Sequence, residues 1–282
     1  MASGKLQIAT CQFAISHSIK RNAGNIIKYM QQAKQARVDL VHFSECALTG
    51  YAGSEIESTQ EIDWNLLRDY TRQIMARAAR LKLYVVLGST HQLTPPNLPH
   101  NCLYLISPAG RITQRYDKRF CTERDLLNYS PGTRFVTFKI NGVKCALLIC
   151  FDLRFPELYR ELKRQKVHFI IQSFYNARQA KASIHNVIMR QTMQARAASN
   201  YFWVSMSNCS AYYSPYPSCF IRPDGRIVKQ LQFHRAGLMV NTVDIKQKFI
   251  DIMLRFRPLA LKGILSNGSE LDDPRSAKTT IL

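Results

Sequence analysis

Between residues 6 and 243, short apolar runs alternate with amphipathic stretches, and this alternation restricts the chain to sheets covered by helices. The runs fall at 6–13, 38–43, 83–89, 102–107, 134–140, 143–150, 168–172, 202–207, 219–222 and 238–243. Their length and their Val, Ile, Phe and Tyr content suit strands better than helices. Asn141-Gly142 joins two of them with a strong hairpin signal, and Pro223-Asp224-Gly225 marks another turn. Helices are expected in the gaps, at 25–36, 67–81 and 183–200. In the second of these, Leu67, Ile74, Ala78 and Leu81 recur near helical spacing with Arg68, Arg72, Arg77 and Arg80 between them. The early part reads β-α-β-α-β and the middle adds hairpins, which predicts a large mixed sheet, or two sheets, under helices. No internal repeat, low-complexity segment or linker divides the chain. A single domain over residues 1–265 is expected, followed by a polar tail at 266–282 that frays or packs on a partner subunit.

A chain of 282 residues buries a core large enough to need no staple. The eight cysteines include no CxxC pair, and Cys145 and Cys150 lack a second Cys/His pair at zinc spacing, so neither a disulfide framework nor a metal site is expected. No apolar run approaches the roughly 20 residues of a membrane span, and the start carries no signal-peptide pattern. The expectation is a soluble, cytoplasmic protein. The formal net charge of +20 raises nucleic acid as a partner. Because the basic residues are scattered and form no dense block or tail, a solvated basic surface is the favoured explanation.

The most informative junction is at Cys150, which ends the run 143–150 and is followed by Phe151-Asp152-Leu153-Arg154-Phe155-Pro156-Glu157. Pro156 stands where a helix can begin, since its missing N–H would be unpaired there anyway. A side chain on such a strand-to-helix turn is exposed at the sheet edge, a good position for a nucleophile. Arg154 either lines a site beside Cys150 or, the preferred reading, fixes this turn by pairing with Asp152 or Glu157. Two further ionisable residues border apolar runs: Glu45, in Phe43-Ser44-Glu45-Cys46, and Lys118, in Arg115-Tyr116-Asp117-Lys118. Where helices cross over a sheet, ligands gather beyond the strand ends, so residues distant in sequence converge there.

Together these segments resemble the nitrilase superfamily of carbon–nitrogen hydrolases, which use a Glu-Lys-Cys triad. FSECALTGY (43–51), RYDKRF (115–120) and CFDLRFPE (150–157) are similar to the family's Glu, Lys and Cys segments, in the family's order. Arg196-Ala197, Asn200, Asn208 and Pro223-Asp224-Gly225 support the match. The chain departs from the family in having Ser44 before the Glu and Phe120-Cys121 after the Lys segment. A second active-site acid precedes a Pro-Gly turn in many members. Before Pro131-Gly132 this chain offers Asp125, which fits the spacing, and Glu123, which fits the residue type.

The resemblance implies an α/β fold of the four-layer αββα sandwich type, a homodimer or larger homo-oligomer, and no cofactor or metal. It implies a hydrolase cleaving a small linear amide or carbamoyl compound through a cysteine thioester, with Glu45, Lys118 and Cys150 as the catalytic residues. Lining candidates are Tyr51, Phe151, Tyr175 and Asn176, with His185 from the helix expected at 183–200. A nitrilase acting on a C≡N group is the near alternative. From a different class, a catalytically inactive basic binding protein is the other, and a strongly salt-dependent nucleic-acid complex would support it.

Overall fold

The first strand, β1 (Lys5–Gln12), is buried on both faces from Ile8 onward, which sets the layer order. Leu6 and Ile8 pack with residues of a second sheet, while Ala9 and Cys11 pack with helical residues such as Ala23, Ile26 and Ala78. The computed structural model describes residues 3–178, 184–269 and 271–277, with residues 185 and 186 described by their backbone alone.

From β1 the chain enters α1 (Ile19–Gln35), β2 (Leu40–His42), α2 (Trp64–Leu81), β3 (Tyr84–His91), β4 (His100–Ile106) and β5 (Ile112–Asp117). After the short α3 (Glu123–Leu126) come β6 (Thr137–Ile140), β7 (Val143–Ile149), α4 (Pro156–Arg164), β8 (Phe169–Ser173) and α5 (Ile184–Asn200). The series closes with β9 (Trp203–Ser207), β10 (Cys219–Ile221), β11 (Ile227–Gln230) and β12 (Gly237–Asp244). Two six-stranded sheets result, ordered β12-β1-β2-β3-β4-β5 and β11-β10-β9-β8-β7-β6. Their inner faces pack together; α1 and α2 cover the outer face of the first, and α4 and α5 that of the second. This is the expected αββα sandwich. Polar side chains also cross between the sheets. The Thr10 and Ser205 hydroxyls share a hydrogen bond of 2.7 Å, and the buried His42 ring bonds Ser205 and Ser173 at 2.9 Å each.

The two sheets repeat one plan. β1-β2-β3 and β7-β8-β9 are parallel triplets joined through helices, and each continues into two antiparallel strands, β4-β5 and β10-β11. The antiparallel edge strand beside β1 is β12, and that beside β7 is β6. No repeat is visible in the sequence because the likeness lies in the connections rather than in side chains.

The local signals explain most boundaries. Asn141 and Gly142 adopt positive φ of 51° and 87°, as the tight β6–β7 hairpin requires. Pro156 opens α4. The helix expected from residue 25 starts earlier, at Ile19, because the Ser18 side chain accepts from the Arg21 N–H and caps it. Strands β5 and β11 were not expected from the sequence. Both are edge strands with several exposed residues, so neither shows a continuous apolar run.

Residues Met1–Phe249 form one compact unit and Ile250–Leu282 a second. In the second, α6 (Arg257–Leu261) is anchored by Arg257, which donates to Asp251 from both Nη1 and Nη2, at 2.8 and 2.5 Å. No helix among the described residues is long and apolar enough to cross a membrane.

Candidate active site

Glu45, Lys118 and Cys150 each lie just beyond a strand: Glu45 past β2, Lys118 immediately after β5, and Cys150 immediately after β7. The segment carrying Glu45 presses against β3 at Gly88. A Cβ there would lie 2.0 Å from the Ser44 carbonyl oxygen and 2.9 Å from the Cys46 nitrogen, so only glycine lets the two strands of chain pass. Lys118 is held through its backbone, its N–H donating to the Asn101 carbonyl at 2.9 Å and its own carbonyl accepting from Gly132 at 2.8 Å.

Cys150 opens a 3₁₀ turn, Cys150–Arg154, with a positive φ of 39°. Asp152 maintains that turn. Its Oδ2 accepts from Tyr116 Oη at 2.7 Å and Ile149 N–H at 2.9 Å, and its Oδ1 accepts from Phe120 N–H at 3.0 Å. Gln172 Nε2 donates to the Cys150 carbonyl at 3.3 Å. The expected pairing of Arg154 with Asp152 is therefore absent, because both Asp152 oxygens are already occupied. Arg154 instead lines the cavity and makes no ion pair among the described residues.

The side chains converge tightly. Lys118 Nζ donates to Glu45 Oε1 and to Asp125 Oδ2, at 2.9 Å each. Glu45 Oε1 also accepts from Asn101 Nδ2 at 2.7 Å, and Oε2 accepts from the Tyr175 N–H at 2.8 Å. Asp125 accepts from Tyr51 Oη and from the Thr122 N–H in the capping box that starts α3. Of the two acids left open by the sequence, Asp125 is the one placed on Lys118; Glu123 is exposed. Tyr51 and Tyr175 stack in parallel, ring centroids 4.7 Å apart. Asn176 Nδ2 donates to Cys150 Sγ at 3.3 Å.

A cavity of about 440 Å³ opens over this cluster, and Tyr51, Lys118, Cys150, Phe151, Tyr175 and Asn176 all line it. Glu45 lies behind Lys118, fully buried. His185 belongs to α5, but its side chain is outside the described residues. The sequence did not single out the structural parts played by Gly88 and Asp152. A glycine inside a strand pattern was the available signal for the first; for Asp152 none distinguished a turn-holding carboxylate from a surface one.

Burial pushes the Glu45 carboxyl above its ordinary pKa despite the pull of Lys118. Burial also works against the Lys118 ammonium, but Glu45 and its neighbours hold the lysine pKa well above its usual value. Asp125 is pressed upward by burial and brought below the carboxylate range by Lys118 and Tyr51. The Cys150 thiol is raised strongly, first by burial and then by the Glu45 charge. With Glu45 and Asp125 ionised around one ammonium, the cluster carries one net negative charge. Ionising the thiol outright would add a second. Moving its proton to Glu45 leaves the total unchanged, so the arrangement suits transfer from sulfur to carboxylate. Among the described residues, no group of three or more His, Cys, Asp or Glu side chains is placed to hold a metal.

A family model described as carbon–nitrogen hydrolase matches residues 7–248. A relative named as a hydrolase in the agr operon of Staphylococcus lugdunensis is 28% identical over 216 residues, covering 73% of this chain and 88% of the relative. An (R)-stereoselective amidase of Pseudomonas sp is 30% identical over 174 residues, covering 60% of this chain and 58% of the relative. Among solved structures, a mutant amidase from Nesterenkonia sp. AN1 superposes with a TM-score of 0.77 at 18% identity, covering 93% of this chain and 98% of that one. In that structure the acetamide moiety of fluoroacetamide is added covalently at the active site cysteine.

Proposed function

Because the chain belongs to the carbon–nitrogen hydrolase family, whose members act on carbon–nitrogen bonds other than peptide bonds, we propose that it hydrolyses a small linear amide or carbamoyl compound through a thioester on Cys150. One observation carries this reading: Lys118 and Cys150 line a single cavity, with Glu45 hydrogen-bonded to the lysine at 2.9 Å. Glu45 takes the Cys150 proton as sulfur attacks the carbonyl carbon. The resulting oxyanion is met by the Lys118 ammonium and the Phe151 N–H, and one such donor is typically worth roughly 3–4 kcal/mol. Glu45 then gives the proton to the departing nitrogen as the C–N bond breaks, leaving the acyl group on sulfur. Water, deprotonated by Glu45, attacks the thioester; the acid leaves and Cys150 recovers its proton. The Nesterenkonia amidase adduct, which retains the acetamide moiety, supports a nucleophilic cysteine at this position of the fold without bearing on the acyl step.

The cavity wall bears on the substrate. Lys118 is paired with Glu45 and Asp125, and Arg178 with Glu55 at 2.8 Å. Arg124 and Arg154 also line the cavity and have no acidic partner among the described residues. Two unneutralised guanidinium groups favour an acyl part that carries a carboxylate. In the C-terminal unit Ile250, Ile252 and Leu265 are exposed, which supports assembly into a homo-oligomer through that segment.

The test is intact-mass spectrometry after mixing the protein with neutral amides, carboxylate-bearing amides, carbamoyl amines and nitriles, together with ammonia release. A Cys150-dependent acyl adduct, strongest with a carboxylate-bearing amide, is expected. Undiminished hydrolysis by a clean Cys150→Ala preparation would overturn the assignment. An adduct formed only from nitriles would replace amide hydrolysis with nitrile hydrolysis.

A further inference from the structure

Three consecutive residues after β8 contact both reacting groups. The Phe174 carbonyl accepts from Glu45 N–H at 3.3 Å, the Tyr175 N–H donates to Glu45 Oε2 at 2.8 Å, and Asn176 Nδ2 donates to Cys150 Sγ at 3.3 Å. In the repeated plan β8 is the counterpart of β2. Glu45 stands three residues past His42, the end of β2, and Asn176 three residues past Ser173, the end of β8. The second half thus supplies a neutral amide from the position where the first supplies a carboxylate.

Asn176 is itself held in place. Asn208, fully buried, accepts from the Asn176 N–H through Oδ1 at 2.9 Å and donates to the Asn176 carbonyl at 3.3 Å. The same Nδ2 reaches the Tyr216 carbonyl at 2.8 Å. Asn208 therefore ties the Asn176 loop to the Tyr216 loop. Tyr216 is 1% exposed, its ring stands edge-on to Phe174 at 5.9 Å, and among the described residues its hydroxyl finds no well-aligned hydrogen-bond acceptor. That hydroxyl faces the Asn176 side chain, which interacts with it, and lies within electrostatic reach of Cys150 and Glu45, so what it lacks is an acceptor for its own proton. A buried hydroxyl without an acceptor is costly, and phenylalanine would fill the same space without that cost. The hydroxyl is explained if its acceptor exists only during the reaction, when negative charge develops on sulfur.

We propose that Asn176 and Tyr216 form a second donor pair at the reacting centre, distinct from Lys118, that steadies the Cys150 sulfur as its proton passes to Glu45. Asn176 is the catalytic member, touching sulfur directly; Tyr216 backs it, and Asn208 is a positioning residue for both. No bond in either donor is made or broken. The sulfur proton goes to the Glu45 carboxylate, and the sulfur charge is consumed when the S–C bond forms. This inference rests on the reading of Cys150 as nucleophile.

The experiment measures Cys150 alkylation by iodoacetamide against pH, followed by intact mass, beside kcat, KM and thermal unfolding. It uses the wild type, Asn176→Ala, Tyr216→Phe and Cys150→Ala. Removing a donor from a developing anion costs on the order of 10- to 1,000-fold in kcat. Asn176→Ala is expected to lower kcat within that range with KM changed less than about threefold, and to move the alkylation profile to higher pH. Tyr216→Phe is expected to lower kcat roughly tenfold while unfolding at the same or a higher temperature, a combination that a merely structural tyrosine would not give. If Asn176→Ala fails to fold, Tyr216→Phe, which loses one oxygen atom, still decides the matter. An inactive Cys150→Ala with both donor variants keeping kcat and the alkylation profile within about twofold overturns the donor pair alone. Turnover by Cys150→Ala overturns the nucleophile assignment and the donor pair with it.

Discussion

The half from β1 to β5 and the half from β7 to β11 share one pattern of connections, yet they furnish the candidate site with opposite kinds of group. The first half contributes Glu45 and Lys118, charged and paired: both Glu45 oxygens accept hydrogen bonds, with capacity left on Oε2, and Lys118 bridges two carboxylates. The second contributes Cys150, with a positive φ of 39° and, among the described residues, one side-chain hydrogen bond, near a Tyr216 hydroxyl that finds no acceptor among them. Buried charge is tolerated only when fully paired, so the charged half has to be complete before substrate arrives. On the proposed reading, the half that forms the new bond retains unused capacity. One scaffold would then separate the groups that carry proton and charge from the sulfur that makes the new bond.

The largest effect expected from breaking this arrangement is at Lys118. Lys118→Ala leaves Glu45 and Asp125 buried together without a cation, and removing one partner of a buried pair costs about 3–5 kcal/mol. Turnover should be lost and the urea midpoint should fall. A variant as stable as the wild type would show that the two acids had never both been ionised. Cys150→Ala should have the opposite profile, abolishing turnover while the urea midpoint stays close to the wild type. A large loss of stability there would mean that the second half is as structurally committed as the first.

A smaller effect is expected in the pH profile. In the proposed mechanism Glu45 is the base, a role that requires it ionised, and burial raises its pKa. The acid limb of kcat/KM should therefore have its midpoint above the ordinary glutamate value of about 4.3. Asp125 is among the groups raising Glu45. Asp125→Asn should accordingly move that limb to lower pH, and an unmoved limb would assign it to another group.

How much of this was legible in the sequence follows from the same contrast. Glu45, Lys118 and Cys150 could be read because each borders an apolar run, and strand-end positions are visible in hydrophobic pattern. Asp125 could not be separated from Glu123, because the choice depends on the Thr122 capping box that turns one carboxylate toward Lys118. The sequence offers Asp152 or Glu157 as a partner for Arg154, yet Asp152 is held by Tyr116 and Phe120, more than thirty residues earlier, as well as by the adjacent Ile149. The layers were readable from the buried strands, whereas β5 and β11 were not. Edge position alone does not hide a strand, since β6 and β12 are edges too; β5 and β11 bury so few side chains that no apolar period remains to mark them. The repeat was invisible for a related reason, since equivalent positions in the halves carry unlike residues such as Glu45 and Asn176.

The smallest expected effect concerns the seam between the halves. His42 ends β2 and bonds Ser205 and Ser173 of the second sheet at 2.9 Å each, so it joins the halves while touching neither reacting group. Burial lowers its pKa to about 3, so the folded protein holds a neutral ring. An unfolded histidine takes up a proton below about pH 6.5, whereas the folded one does not until about pH 3. Over that interval the unfolded state binds more protons, and stability falls as pH falls, by at most about 1.4 kcal/mol per pH unit from this group. His42→Gln keeps hydrogen-bonding capacity and removes the titration. Its urea midpoint should lie below the wild type at pH 7 and approach it at pH 5. A constant difference between the two pH values would mean that His42 does not titrate over this range, and that its contribution to the seam is hydrogen bonding alone.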